Sequence, residues 1–477
     1  MVQKWAILWR SIIASSLDGT LFPYCRYIKT LDFRDLGYLL DDDQFKGKLP
    51  KQFFSEPLAR FYMTVDTPLR PSGRKLVQLN VPSIIDAIGE VVTQHTPMLE
   101  TITGKLLSHA LVRWAPRLPR LQTLELYDGS PLEDELVHAS IYQHCPQFNS
   151  LSIYTWAAEE RDHKLSKFFG TVRPQSLKMM ETIRDIGAGA ETFLALNNHG
   201  EALKDLRLCV SNDSLPHLSL LRGCTALEAL RIEDTHGTIN LEKTQNDVFL
   251  EMIEWLRNCE NLQRLSFTKL QSASSIVVPL LLEEKIKLRK LEIDSYVPKD
   301  SQIFHQALTH QRSSLRFLSL SGDTDGMFRD DIDILVESLK QLTELRVLKL
   351  LLVQEVFQDY HLVDIIDNLR FLEELYVTGI EIKDDVLDSI AKLSNLRSVA
   401  FAGISKFTTD GLLEFVSRLS PGNHGIRIMV DMADPDTLLS DEEVALVRES
   451  LVEKVGGTLE YTPYRDPNVS EFEGDSD

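Results

Sequence analysis

A six-residue apolar pattern, L-x-x-L-x-L with aliphatic or aromatic substitutes, returns along most of this 477-residue chain and leaves few folds open to it. Copies begin at Leu121 (LQTLEL), Phe148, Leu177, Leu203, Leu227, Leu262, Leu288, Leu315, Leu345, Leu372 and Leu396 (LRSVAF). These eleven stand 24 to 35 residues apart, 27.5 on average. A poorer copy begins at Ile28 (IKTLDF), and a fragment at Leu99 (LETI). The L-x-L core has the two-residue period of a strand. Between copies the spacing turns helical, as in Ile334, Leu335, Ser338, Leu339 and Leu342. One strand with one helix cannot bury its own apolar side, but a stack of such units buries a continuous core. The expected fold is α/β, a horseshoe solenoid with parallel strands on the inner wall and helices outside.

Charge and hydropathy narrow the function classes. Acidic residues outnumber basic ones by 71 to 51, for a net charge of −20. A field of that sign repels phosphate backbones and argues against nucleic acid as a partner. The longest clean apolar run, Ile276 to Leu282, is far below the roughly 20 residues of a membrane span. The N-terminal MVQKWAILWRSIIASS has the look of a signal peptide. Arg10 interrupts its apolar region, however, and no small-residue cleavage site follows, so a cytoplasmic or nuclear location is expected.

Four of the five cysteines, Cys25, Cys145, Cys224 and Cys259, stand three residues before the first apolar position of a copy. An odd count without C-x-x-C spacing favours neither a disulfide framework nor a zinc site. A small apolar side chain suits the turn from helix to strand. These C-x-x-L-x-x-L-x-L units resemble the cysteine-containing leucine-rich repeats of F-box proteins. LRSVAFAGISKFTTDGLLEFVSRL is the best copy, with Phe407 to Leu412 matching the repeat's I-T-D-x-G-L helix start. LWRSIIASSLDGTLFPYCRYIKTLDFRDL and GKLLSHALVRWAPRLPRLQTLELYDGS resemble segments that follow the F-box in fungal F-box/leucine-rich-repeat proteins of RNI-like type. The resemblance spans most of residues 8 to 430. It implies substrate recognition for an SCF-type ubiquitin ligase, with an F-box docked on a cullin-RING adaptor. The box would lie just before Trp9, where eight residues stand. It is expected to be absent or truncated here, with its code upstream of Met1. The ninth repeat position carries no asparagine ladder, which argues against extracellular and Ran-GTPase-activating repeats.

No catalytic motif is found. G-x-S-x-G and the phosphate-loop pattern are missing, and Gly187-Ala-Gly189 lacks the third glycine of a dinucleotide loop. His144 and His424 have no neighbour at metal spacing. The chain is therefore expected to be no enzyme, to need no cofactor or metal, and to hold a protein partner on the concave face. Residues alternating with the core leucines line that face. Among them, Tyr127, Tyr154 and Trp156 are expected as aromatic anchors, with Arg207, Arg231, Arg264 and Lys290 as a basic stripe. Tyr, Trp and Arg are frequent interface anchors. The plainer reading makes these solvated wall residues, offset by Asp205, Glu233, Glu292 and Asp294. Later copies place Phe317, Lys349 and Tyr376 on the same wall. The longest interval carries THGTINLEKTQNDV, expected as a recognition loop at the rim. The expected organisation is a cap over 1–95, the solenoid over 96–432, a helical cap over 433–466 and a disordered acidic tail over 467–477. The alternatives are a freestanding scaffold and, less favoured, a Ran-type GTPase-activating regulator.

Overall fold

A computed structural model describes residues 2–66, 77–157, 159–297, 301–322, 329–351, 357–378 and 380–464. The chain divides into two compact units, residues 1–227 and 228–477. The sequence-expected tail over 467–477 lies outside the described residues.

The first unit runs α1 (Val2–Ser15), β1 (Thr30–Asp32), α2 (Phe33–Asp41), α3 (Leu49–Phe53), β2 (Thr64–Asp66), β3 (Val77–Leu79), α4 (Val81–His95) and β4 (Thr101–Gly104). It continues with α5 (Ser108–Trp114), β5 (Thr123–Asp128), α6 (Glu135–His144), β6 (Ser150–Thr155), α7 (Arg161–Thr171), β7 (Met179–Thr182), α8 (Ala190–Leu196) and β8 (Asp205–Val210). Strands β1, β4, β5, β6, β7 and β8 pair in parallel in that order. The short β2–β3 pair is antiparallel and separate.

The second unit runs β9 (Ala229–Asp234), α9 (Leu241–Thr244), α10 (Asn246–Arg257), β10 (Arg264–Thr268), α11 (Ala273–Leu282), β11 (Lys290–Tyr296), α12 (Gln302–Leu308), β12 (Phe317–Gly322), α13 (Arg329–Leu339) and β13 (Val347–Leu351). Then follow α14 (Asp359–Asn368), β14 (Glu374–Val377), β15 (Ile380–Ile382), α15 (Asp385–Ile390), β16 (Ser398–Phe401), β17 (Ile404–Ser405), α16 (Thr409–Arg418), β18 (Arg427–Ala433), α17 (Asp441–Val455) and β19 (Thr458–Pro463). The parallel order is β9, β10, β11, β12, β13, β14, β16, β18, β19.

Each of the eleven copies becomes a strand that starts two residues after its first apolar position, from Thr123 to Ser398. Within a strand, burial alternates. In β12, Leu318 and Leu320 are buried while Phe317 and Ser319 are half-buried. The helices between strands bury one stripe, such as Ile332, Leu335 and Leu339 of α13. The fold is a leucine-rich-repeat solenoid of the α/β class, with parallel strands on one layer and helices on the other.

Where the helix turns into the strand, the cysteines are buried, and other repeats solve the same problem with a buried amide or imidazole. Cys145 Sγ lies 3.9 Å from the Ala115 carbonyl of the preceding turn. Gln311 Nε2 donates to the Leu281 and Ile286 carbonyls, and its Oε1 accepts from the Leu288 N–H. Asn423 Nδ2 donates to the carbonyls of Leu393 and Leu396. Satisfying turn backbone groups in this way matters because a buried, unpaired carbonyl costs about 1–3 kcal/mol.

Strand pairing departs from the expected boundaries in two places. The Ile28 copy supplies β1, which pairs with β4 from Thr30↔Thr101 to Asp32↔Thr103, so the sheet begins inside 1–95. Residues 33–66 and 77–100, with α2, α3, α4 and the β2–β3 pair, lie between these two strands in the chain. At the other end, 433–466 holds a strand as well as a helix, and β19 extends the sheet beside β18. The N-terminal segment folds as α1, burying Val2, Ala6, Trp9 and Ile13 at helical spacing. Trp5 and Trp9 both donate to Asp35, at 2.6 and 2.7 Å. Arg10 donates to the carbonyls of Gln52, Phe53, Ser55 and Glu56, around the end of α3.

Candidate functional site

Parallel register brings equivalent positions of adjacent copies side by side, and this assembles the tyrosines. Asp128 pairs with Thr155, so the preceding residues, Tyr127 and Tyr154, are neighbours across β5 and β6. Their rings stack with centroids 4.9 Å apart and planes 9° from parallel. Arg184, just past β7, lays its guanidinium 5.0 Å from the Tyr154 ring centroid. The result is a three-layer stack, with Tyr127 40% exposed and Arg184 exposed. Arg184 escaped the sequence reading because it follows the weakest copy, LKMMET, one position beyond the wall parity.

Tyr127 also borders a cleft of about 350 Å³ whose walls include Phe33 and Gly37 of α2, Val81 and Ile85 of α4, Leu107 and Trp114. That volume is at the lower end of ligand-sized pockets. Arg34 and Lys105 stand on its polar edge. Arg34 is held by Asp32 at 3.0 Å and Glu125 at 3.7 Å.

Trp156 does not share the exposed stack. It is 2% exposed and its Nε1 donates to Glu133 at 3.1 Å. The chain turns inward after Thr155, and the indole covers Gly129 of the preceding repeat. Its expected role as an anchor on the accessible face is corrected: it is a core residue. Burial disfavours the Glu133 carboxylate, yet hydrogen bonds from Lys164 and Trp156 hold its carboxyl below the usual range.

The basic stripe is not one row of free cations. Arg264 pairs in register with Lys290, whereas Arg231 stands opposite Ser266, one level further along the strands. Carboxylates two residues away along the same strand share the same face and engage the cations. Arg231 lies 3.2 Å from Glu233, and Lys290 lies 3.1 Å from Glu292. In the first unit, Arg207 donates twice to Asp205, at 3.0 Å each, and once to Glu181 at 3.3 Å. The hydrogen bonds to Asp205 raise the Arg207 pKa further. Arg264 also has partners.

A different cation series emerges on the wall of the second unit. Lys290 Nζ lies 4.4 Å from the Phe317 ring centroid, and Lys349 Nζ lies 5.6 Å from Phe317 and 4.5 Å from Tyr376. Alternation of cation and aromatic at wall positions of successive copies was the signal that could have singled these out.

The rim loop of the longest interval is tied down. Asn240 caps α9 through the Lys243 N–H, Leu241 is buried, and Gln271 donates to the Gly237 carbonyl at 2.8 Å. Among the described residues, no group of three or more His, Cys, Asp or Glu could hold a metal ion. No described helix is long and apolar enough to cross a membrane. Burial pushes the thiols of Cys145 and Cys259 up to about 12, far from thiolate chemistry at neutral pH.

No protein-family model matches the chain, and no curated protein matches it. The solved structures to which it is similar include the following three. The yeast complex of Rad7 and Elc1 matches with 13% identity over 75% of this chain and 82% of that one, with a TM-score of 0.40. The complex of TLR13 with ssRNA13 matches with 12% identity over 78% and 54%, with a TM-score of 0.36. A structural-genomics protein from Bacteroides fragilis matches with 13% identity over 76% and 87%, with a TM-score of 0.28. By fold, this chain is a leucine-rich-repeat protein. The repeat registers carry that assignment by themselves.

Proposed function

We propose that this leucine-rich-repeat chain is a protein-binding scaffold, and that it serves as a substrate-recognition subunit resembling those of SCF-type ubiquitin ligases. The observation that carries the binding reading is the Tyr127–Tyr154–Arg184 stack, exposed at Tyr127 and Arg184, whose Tyr127 borders an apolar cleft. Rigid aromatic surface beside a pocket is what interface hot spots are made of. Arg207, Arg231, Arg264 and Lys290 are secondary contacts in this reading, since each would exchange an existing partner for a partner's carboxylate or phosphate. The ligase role rests on the repeat sequence's resemblance to F-box proteins. No catalytic step is assigned to the chain, and its location is proposed as cytoplasmic or nuclear.

The test is affinity capture from a native extract with wild type, Tyr127→Ala/Tyr154→Ala and a control in the turn after α11, Lys285→Ala. The tyrosine variant should lose the captured partner while the control keeps it. Identical capture by all three would remove the stack from the account. The ligase reading is tested on the endogenous gene product, with which a ligase adaptor and cullin should co-purify. Their consistent absence would leave a freestanding scaffold.

A further inference from the structure

One margin of the second unit carries a row of arginines that the proposed tyrosine site does not use. Arg289, Arg316 and Arg346 stand one residue before β11, β12 and β13. Backbone hydrogen bonds put them in one file. The Arg316 N–H donates to the Arg289 carbonyl at 2.9 Å, and the Arg346 N–H donates to the Arg316 carbonyl at 2.8 Å. The file continues through Glu373 to Arg397, each N–H donating to the carbonyl before it at 2.7 Å. Adjacent members are therefore one strand spacing apart, about 4.8 Å. All four arginines are exposed. Arg346 has an ion-pair partner, Glu373 at 2.8 Å. Among the described residues, Arg289, Arg316 and Arg397 have none.

Like charges side by side across strands repel one another. In a chain of net charge −20, this row is not a by-product of a generally basic surface. The wall next to it strengthens the point. Lys290 and Phe317 directly follow Arg289 and Arg316, and the Lys290–Phe317–Lys349–Tyr376 series runs across the same strands. A ligand lying along this margin meets guanidinium forks on one side and half-buried rings on the other.

We infer that this margin binds an extended acidic segment of a partner protein, laid across β11 to β16. Carboxylates match the guanidinium fork in two-point hydrogen bonds. A polyphosphate fits less well, because Glu373 interrupts the file and Glu292 and Glu374 flank the wall series. A peptide can place a neutral residue opposite each of those acids, whereas a nucleic-acid backbone is charged at every step. The inference rests on the reading that the chain binds protein, but its residues are separate from the tyrosine stack.

The experiment is fluorescence anisotropy of the full chain with a fluorescein-labelled octapeptide of alternating glutamate and alanine. Binding should weaken as salt rises. Arg316→Glu should weaken it at least tenfold, Arg316→Lys much less, and Tyr127→Ala not at all. A thermal melt checks that Arg316→Glu is folded, and Arg397→Glu replaces it if it is not. Three results would each overturn the proposal: no peptide binding at low salt, equal binding by the folded charge-reversal variant, or equal competition by oligothymidylate of matched charge. Loss of partner capture by the tyrosine variant with this binding intact separates the two sites.

Discussion

A methyl group added to Gly129 would stand 2.5 Å from Trp156 Cδ2, closer than real side chains approach. Gly129→Ala must therefore displace the indole and break its bond to Glu133, at a cost of about 1–3 kcal/mol as for other overpacked cores. Urea unfolding measures this, and an unchanged midpoint would refute the packing account. The cysteines make a second residue-level prediction. All five are buried thiols, with Cys145 and Cys259 pushed up to about 12 by burial. Alkylation should be slow in the native protein and complete within minutes after unfolding, as mass spectrometry would show. A third concerns His305, which is fully buried and whose Nε2 meets the Tyr296 hydroxyl. Burial pushes this imidazole down to about 4, against the pull of the Asp331 carboxylate. The folded state then holds fewer protons than the unfolded chain, whose histidine titrates near 6.5. Stability from this group is complete above about pH 6.5 and falls between there and pH 4, by up to about 3 kcal/mol. His305→Gln should flatten that part of the pH–stability curve. An unaltered slope between pH 6.5 and 4 would exclude His305 as its source.

Repeats hold their neighbours through helix starts as well as through strands. Asp162 in the first turn of α7 accepts from the N–H groups of Gly189, Glu191 and Thr192, at 2.8 to 3.0 Å, and so caps α8 of the next repeat. Burial opposes the charge of Asp162, but these hydrogen bonds hold its carboxyl below the ordinary range. Asp162→Ala should cost about 1–2 kcal/mol, like other lost caps. It should also speed amide exchange at the start of α8, and unchanged protection there would refute the cap. The same device explains a glycine in the I-T-D-x-G-L-like segment. Asp384 accepts from the Thr408 N–H and hydroxyl, and its Cγ would be 2.2 Å from a Cβ at Gly411. Of these elements, the strand starts could be read from the leucine spacing, and the α16 start from its Thr408 and Gly411. The α8 cap could not, because its acceptor lies 27 residues from the first N–H it serves.

The two compact units each carry a parallel sheet with its own core. Leu124 of β5 and Leu291 of β11 are fully buried, one in each unit. Either change to Ala should cost about 2–5 kcal/mol. With no shared neighbours, the two costs should add to within about 0.5 kcal/mol in the double variant, as urea titration would show. A larger deviation would mean that the two sites are energetically coupled. The sequence by itself determined the repeating strand and helix, the class of the fold and the burial of the cysteines. Those follow from apolar spacing inside stretches of some 27 residues, where each unit states its own inner side. It also placed Tyr127 and Tyr154 at the same position of consecutive copies, so their meeting needed only parallel register. Tertiary structure alone decided that β1 joins β4 across the 68 residues between them. It alone sent Trp156 inward over Gly129 and brought Arg184 onto Tyr154. It also set carboxylates against Arg207, Arg231 and Lys290 while leaving Arg289 and Arg316 in the open. The physical reason is common to all of these. Burial and pairing of a wall side chain depend on which residue of the next repeat stands beside it, and local periodicity does not encode that neighbour.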